Sequence, residues 1–458
     1  MNYNDYLNSK EFNPVNSGFD AGVLNKNLFE WQEVLTRWAV KKGRCALFED
    51  CGLGKSIQFL SWADAVHTNT GKDVIIFSPL GVSYQTVREG EKFGVNVTRC
   101  ESMADVKPGV NITNYERVDK FDADAFVGCV LDESSIIKDQ SGKFRNRLIE
   151  SYRETPYKLC CSATPSPNNY QELGNQAEFL NVMTMPEMLS MFFVNDSGDT
   201  TSNWRLKGHV KSNVFWEWLS TWCVMIRKPS DIGFDDDGYN LPPLKYNTHI
   251  IPYGGDRETL FVEPVKTLSD IRKSMKETMP SRVSKCKDIV TDDGPWSVWC
   301  SLNDESARLT KTLVATEVKG ADKPAYKEQT FIDFADNKVP CLVTKPKIAM
   351  YGLNWQNCNN VIVTGLTHSY EQFYQLVRRF WRFGQKKQVN VHIVIGEREK
   401  EVLNAVLRKE QDMADMFDGM IEHMKLLTIA EIKNTYHVSD EYNPTIEMEL
   451  PAFIGGIS

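Results

Sequence analysis

The feature that most restricts the fold of this 458-residue chain is a glycine-rich segment, Gly52–Ser56, with the sequence GLGKS. It follows a short apolar run, Cys45–Phe48, and it precedes Ile57–Ala63, whose composition predicts a helix. A strand, a glycine loop and a helix in this order place several backbone N–H groups around one point, where they can surround a phosphate. The segment therefore predicts a phosphate-binding loop at the end of a strand.

Each residue type in this loop has its own predicted role. Gly52 and Gly54 permit the close approach and the unusual dihedral angles that a wrapped triphosphate requires. Lys55 is expected to neutralise the β- and γ-phosphates, and the hydroxyl of Ser56 to coordinate Mg²⁺. The tripeptide Gly-Lys-Ser alone is a weak signal, so the flanking strand and helix carry the prediction.

The composition is that of an ordinary globular protein, with 41% hydrophobic and 25% charged residues. The length predicts two to three domains. No run of eighteen apolar residues predicts a membrane span, and the polar amino terminus does not resemble a secretory signal. The 11 cysteines are scattered without zinc-site spacing, which is typical of reduced thiols in a cytosol. We therefore expect a cytoplasmic protein that does not act at a membrane.

The formal net charge of −8 argues mildly against a protein that coats nucleic acid. It does not exclude a local positive track, because the sum over the whole chain conceals one. Two candidate tracks are Lys266–Lys287 and Arg378–Lys387. The basic residues of interest in the first are Arg272, Lys273, Lys276, Arg282 and Lys285. The alternative interpretation of the first track is a solvated helix face.

Short β-rich runs alternate with helical stretches in two parts of the chain, which predicts α/β lobes with mostly parallel sheets flanked by helices. The runs are Val74–Phe77, Val110–Thr113, Val127–Leu131, Lys158–Cys161, Trp296–Cys300, Pro340–Thr344, Asn360–Val363 and Val389–Ile395. The predicted divisions are an N-terminal segment (1–26), a first lobe (27–165), a helical insert and linker (166–285), a second lobe (286–400), and a C-terminal helix and tail (401–458).

An acidic pair, Asp132 and Glu133, ends the strand-like run Phe126–Leu131. Ligands of open α/β sheets sit outside the carboxyl ends of the strands, so this pair is placed to act on a bound phosphate. Asp132 is the candidate Mg²⁺ ligand, directly or through water, and Glu133 is the candidate base that orients and deprotonates the attacking water. The alternative is a purely structural acidic pair at a strand end.

Two arginines far along the chain are candidates to complete the site. Arg379 and Arg382 are one helical turn apart and are predicted to project from one face of a helix. Their guanidinium groups could then reach the charge that develops on a γ-phosphate. The alternative, an exposed basic helix end, is disfavoured by Gln375 before them and by Gly384 and Gln385 after them. A triphosphate held between two distant parts of one chain is the arrangement of an ATP-driven motor.

The series of motifs resembles that of superfamily-two helicase-like ATPases, in particular the Swi/Snf branch in its compact phage and bacterial form, from about Leu28 to Val394. The resemblance implies two RecA-like lobes and the cofactors ATP and Mg²⁺. It implies adenine recognition by Gln32, further nucleotide contacts by Gly352 and Asn354, and coupling by Ser162, Thr164 and Gln375. It also implies nucleic-acid contacts by Pro79, Asn114, Tyr115 and Lys345.

Three departures from the pattern are visible in the sequence. Ser135 stands where many relatives have a histidine, so the link between hydrolysis and coupling is expected to differ. Arg378 stands where eukaryotic Swi/Snf forms often have an acid, and Ser56 replaces a chemically equivalent threonine. The long extensions that direct chromatin remodellers to histones are absent, so the resemblance implies no nucleosome function.

The resemblance implies an ATP-dependent motor that tracks along duplex DNA. We expect a monomer, in the host cytoplasm if a phage encodes it, and the sequence does not fix the oligomeric state. The C-terminal tail is a candidate segment for binding a protein partner. Three alternatives remain open. They are a strand-separating helicase, an RNA remodeller, and a regulatory DNA-binding subunit with a degenerate ATPase, against which the intact Lys55, Asp132, Glu133 and Arg382 argue.

Overall fold

The computed structural model describes residues 16–79, 82–139, 142–167, 169–195, 204–208, 214–252, 267–291, 293–349, 354–366 and 370–436. Within these residues the chain forms two large sheets of seven and six strands. Every pairing between their strands is parallel. With helices flanking both sheets, the predicted architecture of two RecA-like α/β lobes is confirmed.

Five of the seven strands of the first sheet match the apolar runs found in the sequence, and two, Val97–Arg99 and Cys223–Ile226, were not among those runs. The seven strands are β1 Arg44–Glu49, β2 Asp73–Ser78, β3 Val97–Arg99, β4 Val110–Asn114, β5 Phe126–Asp132, β6 Tyr157–Ser162 and β9 Cys223–Ile226, in the spatial order β3-β4-β2-β5-β6-β1-β9. The helices are α1 Glu30–Lys42, α2 Lys55–Thr70, α3 Val82–Phe93 and α4 Lys143–Ser151. Helices on both faces bury the central strands completely, which is why these strands are apolar without alternation.

The second sheet is built in the same way. Its strands are β10 Leu244–Ile251, β11 Trp296–Cys300, β12 Thr316–Glu317, β13 Cys341–Thr344, β14 Asn360–Thr364 and β15 Val389–Gly396, in the order β10-β15-β14-β11-β13-β12. The helices from this part of the chain are α8 Leu268–Glu277, α9 Met279–Ile289, α10 Asn303–Leu313, α11 Pro324–Ala335, α12 Pro346–Ala349, α13 Tyr370–Val377 and α14 Lys400–Tyr436.

The region predicted as a helical insert, 166–285, is more varied than a set of helices. It contains α5 Leu173–Phe179, α6 Met185–Phe192, α7 Val214–Ser220 and a hairpin of β7 Phe193–Asn195 and β8 Trp204–Leu206. It also contributes one strand to each large sheet, because β9 pairs with β1 and β10 pairs with β15. A short apolar run such as β9 cannot be distinguished from a buried helical segment by periodicity. The division of the chain into domains stays a prediction.

Three tryptophans of this region pack inside the first lobe. Trp216, Trp218 and Trp222 are buried, and Trp218 packs against Phe192 with ring centroids 5.1 Å apart. Fully buried rings cannot stack on bases of a nucleic acid. These three side chains therefore contribute to the core of the first lobe.

The long helix α14 connects the two lobes. It contains 37 residues, which corresponds to about 55 Å at 1.5 Å per residue. Its N-terminal part, up to Met413, packs in the core of the second lobe, and from Phe417 onwards it buries Phe417, Met420 and Met424 in the core of the first lobe. The helix accounts for the helical part of the predicted C-terminal helix and tail and continues to Tyr436. Among the described residues, no helix is long and apolar enough to cross a membrane.

One residue of the first candidate track is part of the core instead. Arg282 is fully buried and pairs with Glu305 at 2.9 Å and Glu399 at 3.5 Å, both of them also fully buried. Its inclusion among the track residues was therefore wrong, because a helix periodicity alone did not show which face of α9 is covered. Arg272, Lys273 and Lys276 on α8 are exposed. Burial raises the pKa of Glu305 to about 7, although Arg282 acts to lower it.

Arg282→Met is expected to destabilise the protein by about 3–5 kcal/mol, because two buried carboxyl groups lose their cation. The loss of folding stability in the variant, relative to the wild type, should grow between pH 5 and pH 8. Glu305 has a raised pKa in the folded state, so the stability from its retained proton is present below the unfolded pKa and is lost as pH rises through about 7. Arg282 lowers this pKa, so its removal raises the pKa further and makes the loss of stability at high pH larger in the variant than in the wild type. Urea denaturation at both pH values measures this, with the exposed Arg272→Met as the control. A loss below 1 kcal/mol at pH 8 would refute the role of Arg282.

Candidate active site

Three motifs meet because the strands that carry them are neighbours in one parallel sheet. β1 pairs with β6, with Phe48 level with Ser162, and β6 pairs with β5, with Cys161 level with Asp132. The carboxyl ends of parallel strands face the same edge of a sheet, so the loops that follow them lie side by side. The phosphate loop, the acidic pair and the segment after Ser162 are therefore brought to one edge of the first lobe.

The phosphate loop has the geometry of a backbone cradle. Gly52 and Gly54 have φ angles of 92° and 80°, a region that side chains other than glycine rarely adopt. A Cβ atom at Gly54 would lie 2.5 Å from Nε2 of Gln32, and one at Gly52 would lie 2.9 Å from the backbone nitrogen of Phe383. The glycines are therefore required both by the backbone and by the space around it.

Lys55 begins helix α2 and reaches back over the loop. Its Nζ donates hydrogen bonds to the carbonyl oxygens of Glu49, at 2.8 Å, and Asp50, at 3.2 Å. Burial acts to lower the pKa of Lys55, but the acidic groups around it, including Cys51 and Glu133, raise it overall. The side chain is therefore held as a cation at the entrance to the helix, where a phosphate would also meet the positive end of the helix dipole.

The acidic pair lies at the same edge of the first lobe as the loop and lines the same cleft. Asp132 is the last residue of β5, and Glu133 follows with a φ of 56°, an uncommon left-handed conformation. Burial, and then the charge of Glu133, raise the pKa of Asp132 to about 8, while Lys55 acts to lower it. Burial also raises the pKa of Glu133. Ser162 donates a hydrogen bond of 3.4 Å to Glu133, which links the acidic pair to the coupling segment.

The residues present fit a magnesium-bound triphosphate. Two adjacent buried carboxyl groups repel each other, and a divalent cation between them and a polyphosphate would relieve that repulsion. Ser56 and Asp132 both line the cleft and would supply two oxygens. In the described part of the chain, no group of three or more His, Cys, Asp or Glu side chains could hold a metal ion. Mg²⁺ bound to phosphate does not need such a group, because it keeps waters and takes one or two carboxylates.

The second lobe closes the other side of the cleft. Asn354, Gln375, Arg379 and Arg382 line it together with the phosphate loop and the acidic pair. Burial lowers the pKa of Arg382. The structure therefore brings the two predicted arginines to the predicted phosphate site, although more than three hundred residues separate them in sequence.

The prediction that Arg379 and Arg382 project from one helix face was wrong. Helix α13 ends at Val377, and both arginines lie in the turns that follow it. The carbonyl oxygen of Arg379 pairs outside the helix, since it accepts a hydrogen bond of 3.0 Å from the backbone N–H of Trp355. Both side chains still border the cleft because the turn folds around the buried Phe380.

Gln32 is buried and contacts the phosphate loop. Its Nε2 donates to the carbonyl oxygen of Leu53 at 2.8 Å, and its Oε1 accepts from the backbone N–H of Phe29 at 2.9 Å. These bonds fix the approach of the chain to the loop. Recognition of adenine by Gln32 stays a prediction. Gly352 lies outside the described residues, and Asn354 borders the cleft as stated above.

The remaining coupling residues lie directly behind the acidic pair. Thr164 donates its backbone N–H to the hydroxyl of Ser162 at 3.0 Å, and both residues are buried. Gln375 comes from the other lobe and borders the cleft itself. A chain of contacts therefore runs from Glu133 through Ser162 to Thr164, and the coupling role of these residues stays a prediction.

The predicted nucleic-acid contacts are less well supported. Tyr115 is fully buried and donates a hydrogen bond of 2.8 Å to the carbonyl oxygen of Asp132, so its assignment to the nucleic-acid surface was wrong. Its ring packs into the core beneath β5, which sequence alone did not reveal. Pro79 and Asn114 are also buried, at the ends of β2 and β4. Lys345 is partly exposed and contacts Asn303, and its role stays a prediction.

Sequence reasoning missed several contacts between the lobes. Arg378 forms an ion pair of 3.0 Å with Asp50, and the hydroxyl of Tyr374 donates to the same carboxylate at 2.6 Å. Glu371 accepts a hydrogen bond of 3.2 Å from Ser135 and pairs with Lys138. The spacing of Glu371, Tyr374 and Arg378 along one helix face was a usable signal. Their partners could not be identified, because they lie more than two hundred residues away.

The fold and the cleft together define a two-lobed α/β protein with the glycine loop Gly52–Ser56 at the lobe interface. No family model and no curated protein matches the chain. Among solved structures the chain is similar to a SWI2/SNF2 ATPase core from Sulfolobus solfataricus in complex with double-stranded DNA. The match has 17% sequence identity and a TM-score of 0.41, and it covers 93% of this chain and 99% of that one.

Proposed function

We propose that this protein hydrolyses Mg²⁺-bound ATP and uses the cycle to move along duplex DNA. The observation that carries the proposal is the cleft itself. Lys55 and the carboxylates of Asp132 and Glu133 face it from one lobe, and Arg379 and Arg382 face it from the other. A site divided in this way is complete only when the lobes close. Hydrolysis therefore requires lobe closure, and this requirement couples ATP hydrolysis to lobe movement.

Each side chain has a role that its position supports. Lys55 and the start of α2 bind the phosphates, and Ser56 with Asp132 holds the metal ion, which neutralises charge on the phosphates when it is bound. Glu133 orients the attacking water and accepts its proton. Its raised pKa favours proton acceptance near neutral pH. Arg379 and Arg382 stabilise the charge that develops on the phosphoryl group.

The DNA part of the proposal rests on charge at the surface. Arg272, Lys273 and Lys276 lie on α8 and are exposed, so they form a compact basic group on a protein that is acidic as a whole. Lys and Arg contacts to phosphates position a protein on a duplex without reading its bases, as a tracking motor requires. The strand-separating helicase and the RNA remodeller are the alternatives that the experiment below distinguishes.

Duplex DNA is expected to stimulate ATP turnover more than single-stranded DNA or RNA of equal nucleotide content. Stimulation should fall steeply with salt, since contacts between cationic side chains and phosphate release counterions. The triple variant Arg272→Gln, Lys273→Gln, Lys276→Gln should need more DNA for half-maximal stimulation and keep basal turnover. Turnover assays across a DNA titration at two salt concentrations measure both effects.

A matched control is the variant Lys319→Gln, Lys338→Gln, which removes exposed cations that follow β12 and precede β13, at one edge of the second sheet. It should behave as the wild type. The protein should also displace a triplex strand without unwinding a plain duplex. Stimulation by single strands alone together with unwinding of a forked duplex would favour the strand-separating helicase. Stimulation by RNA alone would favour the RNA remodeller.

A further inference from the structure

One face of helix α13 touches the first lobe at two separate points. Near its start, Glu371 accepts a hydrogen bond of 3.2 Å from Ser135 and forms an ion pair with Lys138. One residue past its end, Arg378 forms an ion pair of 3.0 Å with Asp50. The backbone N–H of Arg378 donates to the carbonyl oxygen of Tyr374 at 3.0 Å, so the helical turn continues to Arg378. Positions 371 and 378 are two helical turns apart, so both side chains point to the same side.

The second point of contact is built to hold Arg378 in one orientation. The hydroxyl of Tyr374 donates to Oδ1 of Asp50 at 2.6 Å, and Arg378 pairs with Oδ2 of the same carboxylate. The guanidinium group also stacks over the rings of Tyr374, at 4.9 Å, and Trp381, at 4.4 Å. A planar cation that is stacked and paired at once keeps little rotational freedom.

The four charged side chains of these two pairs are partly shielded from water. The side chains of Asp50 and Arg378 are 11% and 14% exposed, and those of Lys138 and Glu371 are 28% and 20% exposed. Ion pairs at this depth are less screened by salt than surface pairs. The polarity of the two pairs is also opposite, because the second lobe supplies the anion at one point and the cation at the other. A shift of α13 by one turn would break both pairs.

One point of contact lies beside the glycine loop of the first lobe, and the other lies beside the acidic pair. Asp50 precedes the glycine loop, and its Oδ1 also accepts the backbone N–H of Cys51 at 2.6 Å. Ser135 follows the base Glu133 by two residues. On the other side, Arg378 is bonded directly to Arg379, which borders the cleft. The pairs therefore connect the loop and the acidic motif of one lobe to the arginines of the other.

We propose that Glu371 and Arg378 are positioning residues that form an interlobe latch with Lys138 and Asp50. The latch fixes the register of the second lobe on the first, and through this register it places Arg379 and Arg382 against the phosphates. This inference rests on the proposed ATPase function for its kinetic consequences. It assigns a function to Arg378 and Ser135, two of the three positions at which the sequence departs from the motif pattern that it resembles.

A charge exchange at the pair Lys138–Glu371 tests the latch. Lys138→Glu places two carboxylates together, and Glu371→Lys places two ammonium groups together, so each single variant should lower kcat by about tenfold with KM for ATP nearly unchanged. The double variant restores an ion pair with its direction reversed, and it should recover most of the lost kcat. A change in kcat below threefold in both single variants would overturn the proposal, as would a double variant no more active than the singles.

A matched control is another ion pair between the same lobes, Arg88–Glu328, whose side chains are 54% and 38% exposed. Exposed pairs contribute little, so Arg88→Glu, Glu328→Arg and their combination should each stay within threefold of the wild-type kcat. Equal losses at both pairs would show that any charge reversal across the interface has the same effect, and this would overturn the specific role of α13.

Hydrogen–deuterium exchange separates failure of the latch from failure of the ATPase proposal. Without any turnover measurement, Lys138→Glu should increase the amide exchange of residues 134–138 and 370–378, and the double variant should restore protection. If the wild-type protein hydrolyses no ATP but these exchange changes occur, the latch stands and the proposed function fails. If turnover is normal in the wild type and exchange is unchanged in Lys138→Glu, the latch fails and the proposed function stands.

Discussion

Lys55→Ala is expected to reduce ATP turnover to background and to weaken nucleotide binding. The Nζ atom of Lys55 lies at the start of α2, where it is held by the carbonyl oxygens of Glu49 and Asp50. Removal of this cation takes away the positive charge that offsets the phosphates. It also removes the charge that lowers the pKa values of Asp132 and Glu133, which burial raises. Turnover by phosphate release and nucleotide affinity by calorimetry measure the two effects separately.

Glu133→Gln is the matched variant for this experiment. It should retain nucleotide binding and lose hydrolysis, because Lys55, Ser56 and Asp132 remain to bind the phosphates and metal while the base is absent. Wild-type turnover in Glu133→Gln would show that Glu133 is not the base. Wild-type turnover in Lys55→Ala would show that GLGKS is not the phosphate site of this protein.

Arg382→Ala is expected to lower kcat by about 10³–10⁵-fold, which is the range for removal of an arginine finger. ATP affinity should change little, because Arg382 comes from the second lobe and acts when the lobes are closed on the phosphates. The position of the residue supports this, since it borders the cleft and lies beside Gly52, whose added Cβ would approach Cβ of Arg382 to 3.4 Å.

Single-turnover rates for Arg382→Ala, combined with nucleotide affinity, separate chemistry from binding. Arg308→Ala is the control, since Arg308 lies exposed on α10 of the same lobe. A loss of less than threefold for Arg382→Ala would mean that the second lobe does not complete the site. Equal losses in binding and in rate would instead assign Arg382 to ground-state phosphate binding.

The local parts of the site could be predicted from the sequence because each depends on a few adjacent residues. A strand followed by GLGKS and a helix fixes the phosphate loop, and a strand that ends in Asp132 and Glu133 fixes the acidic pair. Both predictions follow from backbone rules that act over about ten residues. The inner strands of both sheets were predicted for the same reason, since a strand covered on both faces is continuously apolar. The four edge strands β3, β9, β10 and β12 were not predicted.

The errors fall where the burial of a side chain depends on distant elements. Tyr115 follows a strand end, as a nucleic-acid contact in the resembled motif would, but the packing of α4 and β5 encloses it. Arg282 sits in a basic stretch, but α10 and the segment before α14 supply Glu305 and Glu399 and draw it into the core. For neither residue does the local sequence show which distant element buries the side chain.

The sequence by itself determined the two α/β lobes, the phosphate loop with Lys55 and Ser56, and the acidic pair. These depend on hydrophobic periodicity and on backbone conformations that a short segment sets alone. Only the tertiary structure decided that β9 and β10 belong to opposite sheets, that α14 packs on both lobes, and that Asp50 meets Arg378 and Lys138 meets Glu371. Such pairings depend on how two lobes pack across hundreds of residues of chain, and no local pattern encodes which surface a side chain will face.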